Sequence, residues 1–302
     1  MEGMSDSGRY PDFLVIGAQK AGTSWTWRML DQHPDSSLPE EKEIHYYGSS
    51  ELYRKGPDWY LDHFRNLEPG KLTGEASTSH LFDRVPYWFN PGRDIEYDPE
   101  LPPLPELVHR DMPDARIVVV LRDPVRRAIS AYHHWLRKGD LPCLAGLRKT
   151  ALEHPKLRIL EYGHYLRHLR AWTSVYPRDQ ILVLLYESDI AANPMAGIAR
   201  LYRFVGLDPD FVPELMRKRV HSSWSWTRCV AAYYSGPLRR KFARGPMGDF
   251  LDRHPFLERY AIRPRDVRFL QETYLPERTA LEQLLGISLA DWDYGAGLLD
   301  KS

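Results

Sequence analysis

Residues 17–25 read GAQKAGTSW, directly behind the apolar run FLVI at 13–16. A strand that ends in glycine, a short polar turn and a helix opened by Thr23 and Ser24 aim backbone N–H groups and the positive end of a helix dipole at one point, which suits an anion. Gly17 and Gly22 permit the positive φ and close backbone approach that phosphate oxygens require. Lys20 precedes the second glycine, whereas an NTP-hydrolysing P-loop carries its lysine after it, followed by a hydroxyl that holds Mg²⁺. Here Thr23 takes the lysine's place. Lys20 is therefore set to donate to a bridging oxygen of a bound phosphate chain as charge develops there. An ordinary strand-to-helix turn with Lys20 in water is the plain alternative.

Working outward, apolar runs at 13–17, 117–121 and 181–186 are continuous rather than alternating, the pattern of strands buried on both faces of a parallel sheet. Helical patterns lie between and after them, at 23–33, 124–138 (Asp123 as cap, Pro124 at the first helical position), 157–175, 195–205 and 265–285. The expectation is an α/β single domain, a central parallel sheet flanked by helices with a P-loop-like nucleotide-binding core and its ligands at the carboxyl ends of the strands. Residues 86–105, rich in Pro, Gly and Tyr, read as a surface excursion. The basic, aromatic stretch 217–245 reads as a cover over an anionic ligand or as a solvated basic surface.

The 302 residues are 43% hydrophobic with zero formal net charge, which supports a packed core and gives no overall bias toward nucleic acid or anionic membrane. Cys143 and Cys229 are too few for a disulfide framework. The opening MEGMSDSGRYPD has no secretory pattern, and the longest apolar runs fall short of the roughly 20 residues of a membrane helix. A soluble, cytoplasmic protein with no membrane span is expected.

A second anion site is suggested by ARIVVVLRDPVRRAISAYHHW at 115–135. Arg122 ends a buried strand and Ser130 lies in the second turn of the next helix, so the pair can grip a phosphate with charge-assisted bonds. Arg122 paired simply with Asp123 is the even alternative. Of Arg126 and Arg127, adjacent on a helix, at most one faces the same site. In EEKEIHYYG at 40–48, Glu43 and His45 share a face if the segment is extended. The alternative is a charged turn ending in a buried aromatic pair.

Together these segments resemble the PAPS-dependent sulfotransferases (PAPS is 3′-phosphoadenosine 5′-phosphosulfate), closest to the branch of the heparan sulfate 3-O-sulfotransferases and N-sulfotransferase domains. The resemblance implies a sulfotransferase domain over 12–292 with terminal tails at 1–11 and 293–302. It assigns Lys20, Ala21, Gly22, Thr23, Ser24 and Trp25 to the 5′-phosphosulfate, and Arg122 and Ser130 to the 3′-phosphate. The family's acid two residues before a histidine matches Glu43 and His45, implying Glu43 as general base, Lys20 as stabiliser of the leaving 3′,5′-ADP oxygen and His45 as a helper. Glu75, Ser77, His164 and Tyr165 are the candidate acceptor contacts, and Ser222 and Arg228 are candidate nucleotide contacts. No metal is required.

Two departures accompany the resemblance. In GEASTSH at 74–80, Ala76 stands where the polysaccharide enzymes carry lysine, which counts against a heparan-like polyanion as acceptor. The family's late disulfide and lysine-glycine-arginine cover loop are missing from 217–245. The expected reaction moves a sulfuryl group from PAPS to a hydroxyl or amine of a small molecule, sugar or glycoconjugate. The alternatives are a nucleotide-dependent kinase, for which the lysine and Mg²⁺ ligands are out of order, and a non-catalytic nucleotide-binding module.

Overall fold

The computed structural model describes residues 8–88, 94–138, 141, 145–217, 225–235, 246–254 and 262–299. Strand β1 (Phe13–Gly17) is buried along its whole length, because parallel neighbours flank it on both edges. The sheet order is β2 (Gly74–Ala76), β1, β3 (Arg116–Leu121), β4 (Ile181–Leu185), and every pairing is parallel. Burial on both faces is what the unbroken apolar runs anticipated, each fully buried Val, Leu or Ile contributing about 1.5–3 kcal/mol.

Strand β2 was absent from the sequence reading. It has three residues with a glutamate in the middle, too short and too polar to give a pattern, and Glu75 becomes tolerable there only through tertiary partners. Gly74 is required by its neighbour, since a Cβ would lie 2.1 Å from the Phe13 ring.

Helices Pro124–Lys138 and Pro194–Val205 fall where the pattern put them. Three expected helices differ. The first runs Thr23–Asp31 and stops short of Pro34. The 157–175 pattern is broken into 3₁₀ turns at Pro155–Leu157 and Glu161–Gly163 before the helix Tyr165–Val175. At Gly163 a Cβ would meet the Tyr274 ring at 2.6 Å, so this turn is pressed against a neighbouring helix. The 265–285 pattern is two helices, Pro264–Tyr274 and Arg278–Leu285, with Pro276 in the 3₁₀ turn between them. The chain stays packed past 292: Tyr294 is buried and Asp293 pairs with Arg126, so the expected tail does not begin there. At the other end Tyr10 packs against the core.

Because all four strands run the same way, their carboxyl ends deliver Ala18–Gly22, Ser77–His80, Arg122–Asp123 and Tyr186–Glu187 to one rim. The order reverses between β1 and β3, the crevice where open parallel sheets bind ligands. Among the described residues no helix is long and apolar enough to cross a membrane.

The packing at β2 predicts that Gly74→Val destabilises the fold by about 1–3 kcal/mol through overpacking against Phe13. Gly146→Ala, where a Cβ meets nothing within 4 Å, leaves the denaturation midpoint within about 0.5 kcal/mol of the parent. Equilibrium urea unfolding of both variants measures the contrast.

Candidate active site

The turn after β1 is fastened before it is functional. Ala18 N–H donates to the Val120 carbonyl of β3 at 2.7 Å, and Ala21 N–H to Ala18 O at 3.1 Å. Gly22, at φ 110°, is the N-cap of the helix Thr23–Asp31, and no side chain caps that end. The helix N-terminus is thus open to an anion. Any Cβ at Gly22 would meet Ile190 Cδ1 at 3.0 Å and the Tyr186 ring at 3.2 Å. Lys20, Gly22, Thr23, Ser24 and Trp25 line a cavity of about 1260 Å³. Ala21 is buried beneath it and offers only backbone.

Arg122 closes the gap to the second strand tip. Its Nη1 donates to the Lys20 carbonyl at 3.2 Å, and its guanidinium lies 4.5 Å over the Tyr186 ring. Its Nε is buried without a hydrogen-bond partner, the nearest carboxylate oxygen being Glu187 Oε1 at 3.9 Å. The expected alternative, pairing with Asp123, does not occur: Asp123 Oδ1 instead caps its helix, accepting from Val125 N–H at 2.9 Å and Arg126 N–H at 3.1 Å. Ser130 lines the same cavity and an adjoining one of about 350 Å³. An unsatisfied arginine nitrogen, an open helix end and a hydroxyl on one wall fit a ligand with phosphates at both ends.

Helix Pro124–Lys138 also brings in His134, which the sequence reading missed although it lies one turn beyond Ser130. Lys20 Nζ is 3.3 Å from His134 Nδ1, and Arg137 Nη2 reaches the same nitrogen at 3.3 Å. Two donors converging on Nδ1 fix it as the acceptor of a neutral ring. Burial and the surrounding cations hold the imidazole neutral, its pKa pushed down to about 3. Burial, then Arg137, Lys138 and Arg122, also lower the Lys20 ammonium to about 8, against a pull upward from Glu43.

Glu43 and His45 do come together, but not along an extended strand. Both adopt left-handed backbone, at φ 71° and 61°, and Glu43 Oε2 is 3.4 Å from His45 Nε2. Tyr46 and Tyr47 anchor the turn from behind: Tyr46 stacks on Tyr60 at 4.6 Å and Tyr47 OH donates to Asp111 Oδ2 at 3.0 Å. The charged turn and the buried aromatic pair are one device. Glu43 accepts from Lys42 Nζ at 3.0 Å and from Thr78 Oγ1 at 2.9 Å. Burial alone would raise its pKa, but Lys42, His45 and Thr78 bring it below the usual carboxylate value. His45 is lowered by burial, with Glu43 opposing. At neutral pH this is a carboxylate beside a neutral imidazole, a competent proton acceptor.

The expected acceptor contacts sit elsewhere. Glu75 and Ser77 are fully buried. Glu75 accepts from Tyr60 OH at 2.6 Å and from Ser77 Oγ, while Ser77 Oγ accepts the His45 N–H at 2.9 Å. They support the 43–45 turn from below instead of facing the cavity. His164 pairs with Glu277 at 2.9 Å, and Tyr165 OH donates to the Arg122 carbonyl at 2.9 Å, so Tyr165 braces the strand tip. Arg126 is held by Asp293 at 2.6 Å, and Arg127 is buried against the Ile159 carbonyl. Arg228 turns onto Asp252 at 2.6 Å, and Ser222 lies outside the described residues. Residues that the sequence did not single out, among them Lys42, Thr78, Trp88 and Arg158, line the cavity in their place.

Comparison with known proteins finds sulfotransferases. Human bifunctional heparan sulfate N-deacetylase/N-sulfotransferase 2 is 32% identical over 216 residues, 67% of this chain and 22% of that protein. Mouse heparan sulfate glucosamine 3-O-sulfotransferase 3B1 is 29% identical over 206 residues, 67% of this chain and 47% of its own. The chain thus spans less than half the length of either curated relative. A crystal structure of a sulfotransferase from Alicyclobacillus acidocaldarius shares the fold, with TM-score 0.64 and 24% identity over 94% of this chain and 98% of that one. The sulfotransferase domain signature matches residues 10–257, and the chain belongs to the sulfotransferase domain family.

Proposed function

We propose that the chain transfers a sulfuryl group from PAPS to a hydroxyl or amine and releases 3′,5′-ADP. The observation that carries this reading is the sharing of one cavity by Lys20, Arg122, Ser130 and Glu43. A bisphosphorylated nucleotide needs positive groups at two separated ends, and a transfer needs a base between the donor and the acceptor. The turn of Lys20 to Ser24 takes the 5′-phosphosulfate, with Ala21 giving backbone only and Trp25 closing the edge. Arg122 and Ser130 take the 3′-phosphate. We expect no metal requirement, and the kinase alternative is not favoured by a lysine placed before Gly22.

The chemistry is an in-line displacement at sulfur. The acceptor oxygen or nitrogen forms its bond to sulfur as the bond from sulfur to the 5′-phosphate oxygen breaks. Glu43 takes the acceptor proton, and the electron pair leaves on the phosphate oxygen, where Lys20 donates a hydrogen bond. His134 holds the ammonium in place before the donor arrives. His45, fixed by Ser79 Oγ at 2.7 Å, orients the attacking group. The named relatives act on heparan sulfate, which supports a carbohydrate or glycoconjugate acceptor here, a small molecule being the other choice. We read the setting as cytoplasmic from the scarcity of cysteine.

Lys20→Ala and Arg122→Ala are each expected to weaken 3′,5′-ADP binding by about 1–3 kcal/mol in calorimetry; unchanged affinity in both removes the nucleotide site. Glu43→Gln should keep nucleotide affinity while turnover with an accepted substrate falls about 100-fold or more. The lowered Lys20 ammonium gives a pH signature. The ammonium is charged below its pKa of about 8 and neutral above it, so 3′,5′-ADP affinity declines as pH rises through that value. A titration series from neutral to alkaline pH should show the decline in the parent and lose it in Lys20→Ala.

A further inference from the structure

The cavity carries more positive charge than a nucleotide donor uses. Eight Lys and Arg side chains line it and Glu43 is its sole carboxylate among the described residues. Lys20, Arg122 and Arg137 belong to the donor end. Lys42, Lys156 and Arg158 do not.

Arg158 is the informative one. It is 93% buried, with 7% of its surface exposed, yet it lines the cavity, and its Nε and Nη1 have no hydrogen-bond partner. Buried guanidinium nitrogens left without acceptors are costly, and an anion entering the cavity would satisfy them. Its backbone is left-handed at φ 54°, which ends the 3₁₀ turn Pro155–Leu157 and swings the side chain inward. That turn is pinned: Arg158 N–H donates to Pro155 O at 2.7 Å, and Trp135 Nε1 to Leu157 O at 2.9 Å. The guanidinium lies 4.1 Å over the Trp88 ring, whose other neighbour is His45 with ring centroids 4.8 Å apart. Arg158 is therefore no more than one indole away from the imidazole beside the base. The Tyr162 hydroxyl, also buried, lies beside Thr78 and Arg158.

The two poles are distinct. Lys20 is held by His134 and by the Arg122 contact to its carbonyl, whereas Arg158 reaches the base through Trp88 and His45. Arg158 is therefore assigned to the acceptor and Lys20 to the donor.

We propose that Arg158 is a specificity-determining residue that binds a carboxylate or sulfate on the acceptor, within about one sugar ring of the attacked group. The inference rests on the sulfotransferase reading of the cavity. It also reverses the expectation drawn from Ala76: the cation missing from β2 is supplied by the 155–158 turn, and an anionic acceptor fits.

The test uses the full chain loaded with 3′,5′-ADP and two matched probe pairs, methyl glucuronide against methyl glucoside and N-acetylglucosamine 6-sulfate against N-acetylglucosamine. Ligand-observed NMR titration reads their affinities. At least one anionic probe should bind about ten- to a hundredfold more tightly than its neutral twin, as a charged hydrogen bond supplies, and the responding pair identifies the anion. Arg158→Gln should remove the difference, Arg158→Lys should restore part of it, and both should retain 3′,5′-ADP affinity. Equal binding within both pairs, no binding of either anionic probe, or a preference that survives Arg158→Gln overturns the proposal. Loss of 3′,5′-ADP affinity in Arg158→Gln overturns it too, by moving Arg158 to the donor end. Failure of the unaltered chain to bind 3′,5′-ADP is a separate result, and it strikes the sulfotransferase reading itself.

Discussion

The hydrogen bond from Ala18 N–H to the Val120 carbonyl, at 2.7 Å, joins the turn after β1 to the strand that ends in Arg122. With the contact from Arg122 Nη1 to the Lys20 carbonyl at 3.2 Å, it makes two sequence-distant loops one rigid rim. Each is an ordinary bond worth about 1 kcal/mol net. Their effect is geometric: the ammonium and the guanidinium are positioned before any ligand is present, so little ordering cost is left for binding. Parallel pairing of β1 with β3 makes this possible, since an antiparallel partner would carry Arg122 to the opposite end of the sheet.

Charge then organises the cavity. Burial, reinforced by the neighbouring cations, is why Lys20 drops to about 8 and His134 stays neutral. Glu43 keeps its charge in the same surroundings because its cationic and hydroxyl neighbours outweigh the penalty of burial. A neutral imidazole between two cations also gives the lysine an acceptor that does not compete as strongly as a carboxylate would. The anion that arrives meets a poised donor, not a pre-formed ion pair.

Much of this was legible from sequence, and for physical reasons. Strands buried on both faces must be apolar throughout, so β1, β3 and β4 stood out within about a residue at either end. Asp123 and Pro124 announced their helix because a cap and a fixed φ are local chemistry. Lys20, Arg122 and Ser130 share one cavity, as their short motifs after strand tips led one to expect. What escaped depends on contacts distant in sequence. Glu75, His164 and Tyr165 resembled acceptor contacts until Tyr60 and Ser77 surrounded the first and Glu277 and the Arg122 carbonyl claimed the other two. Trp88 and Arg158 come from irregular segments whose direction no periodicity encodes. The extended reading of 43–47 failed because two left-handed residues produce the same proximity that a strand would.

Those left-handed residues form a set. Of the five described non-glycine residues with positive φ, four, Lys20, Glu43, His45 and Arg158, are on the cavity wall, and the fifth is Tyr294. An L-residue in this region costs about 1–2 kcal/mol, which Gly or Asn would largely avoid. Selection for heat resistance alone would therefore drift toward glycine or asparagine at these sites, hardening the molecule while emptying its cavity of reactive groups. A laboratory programme to toughen this scaffold should therefore freeze these positions first.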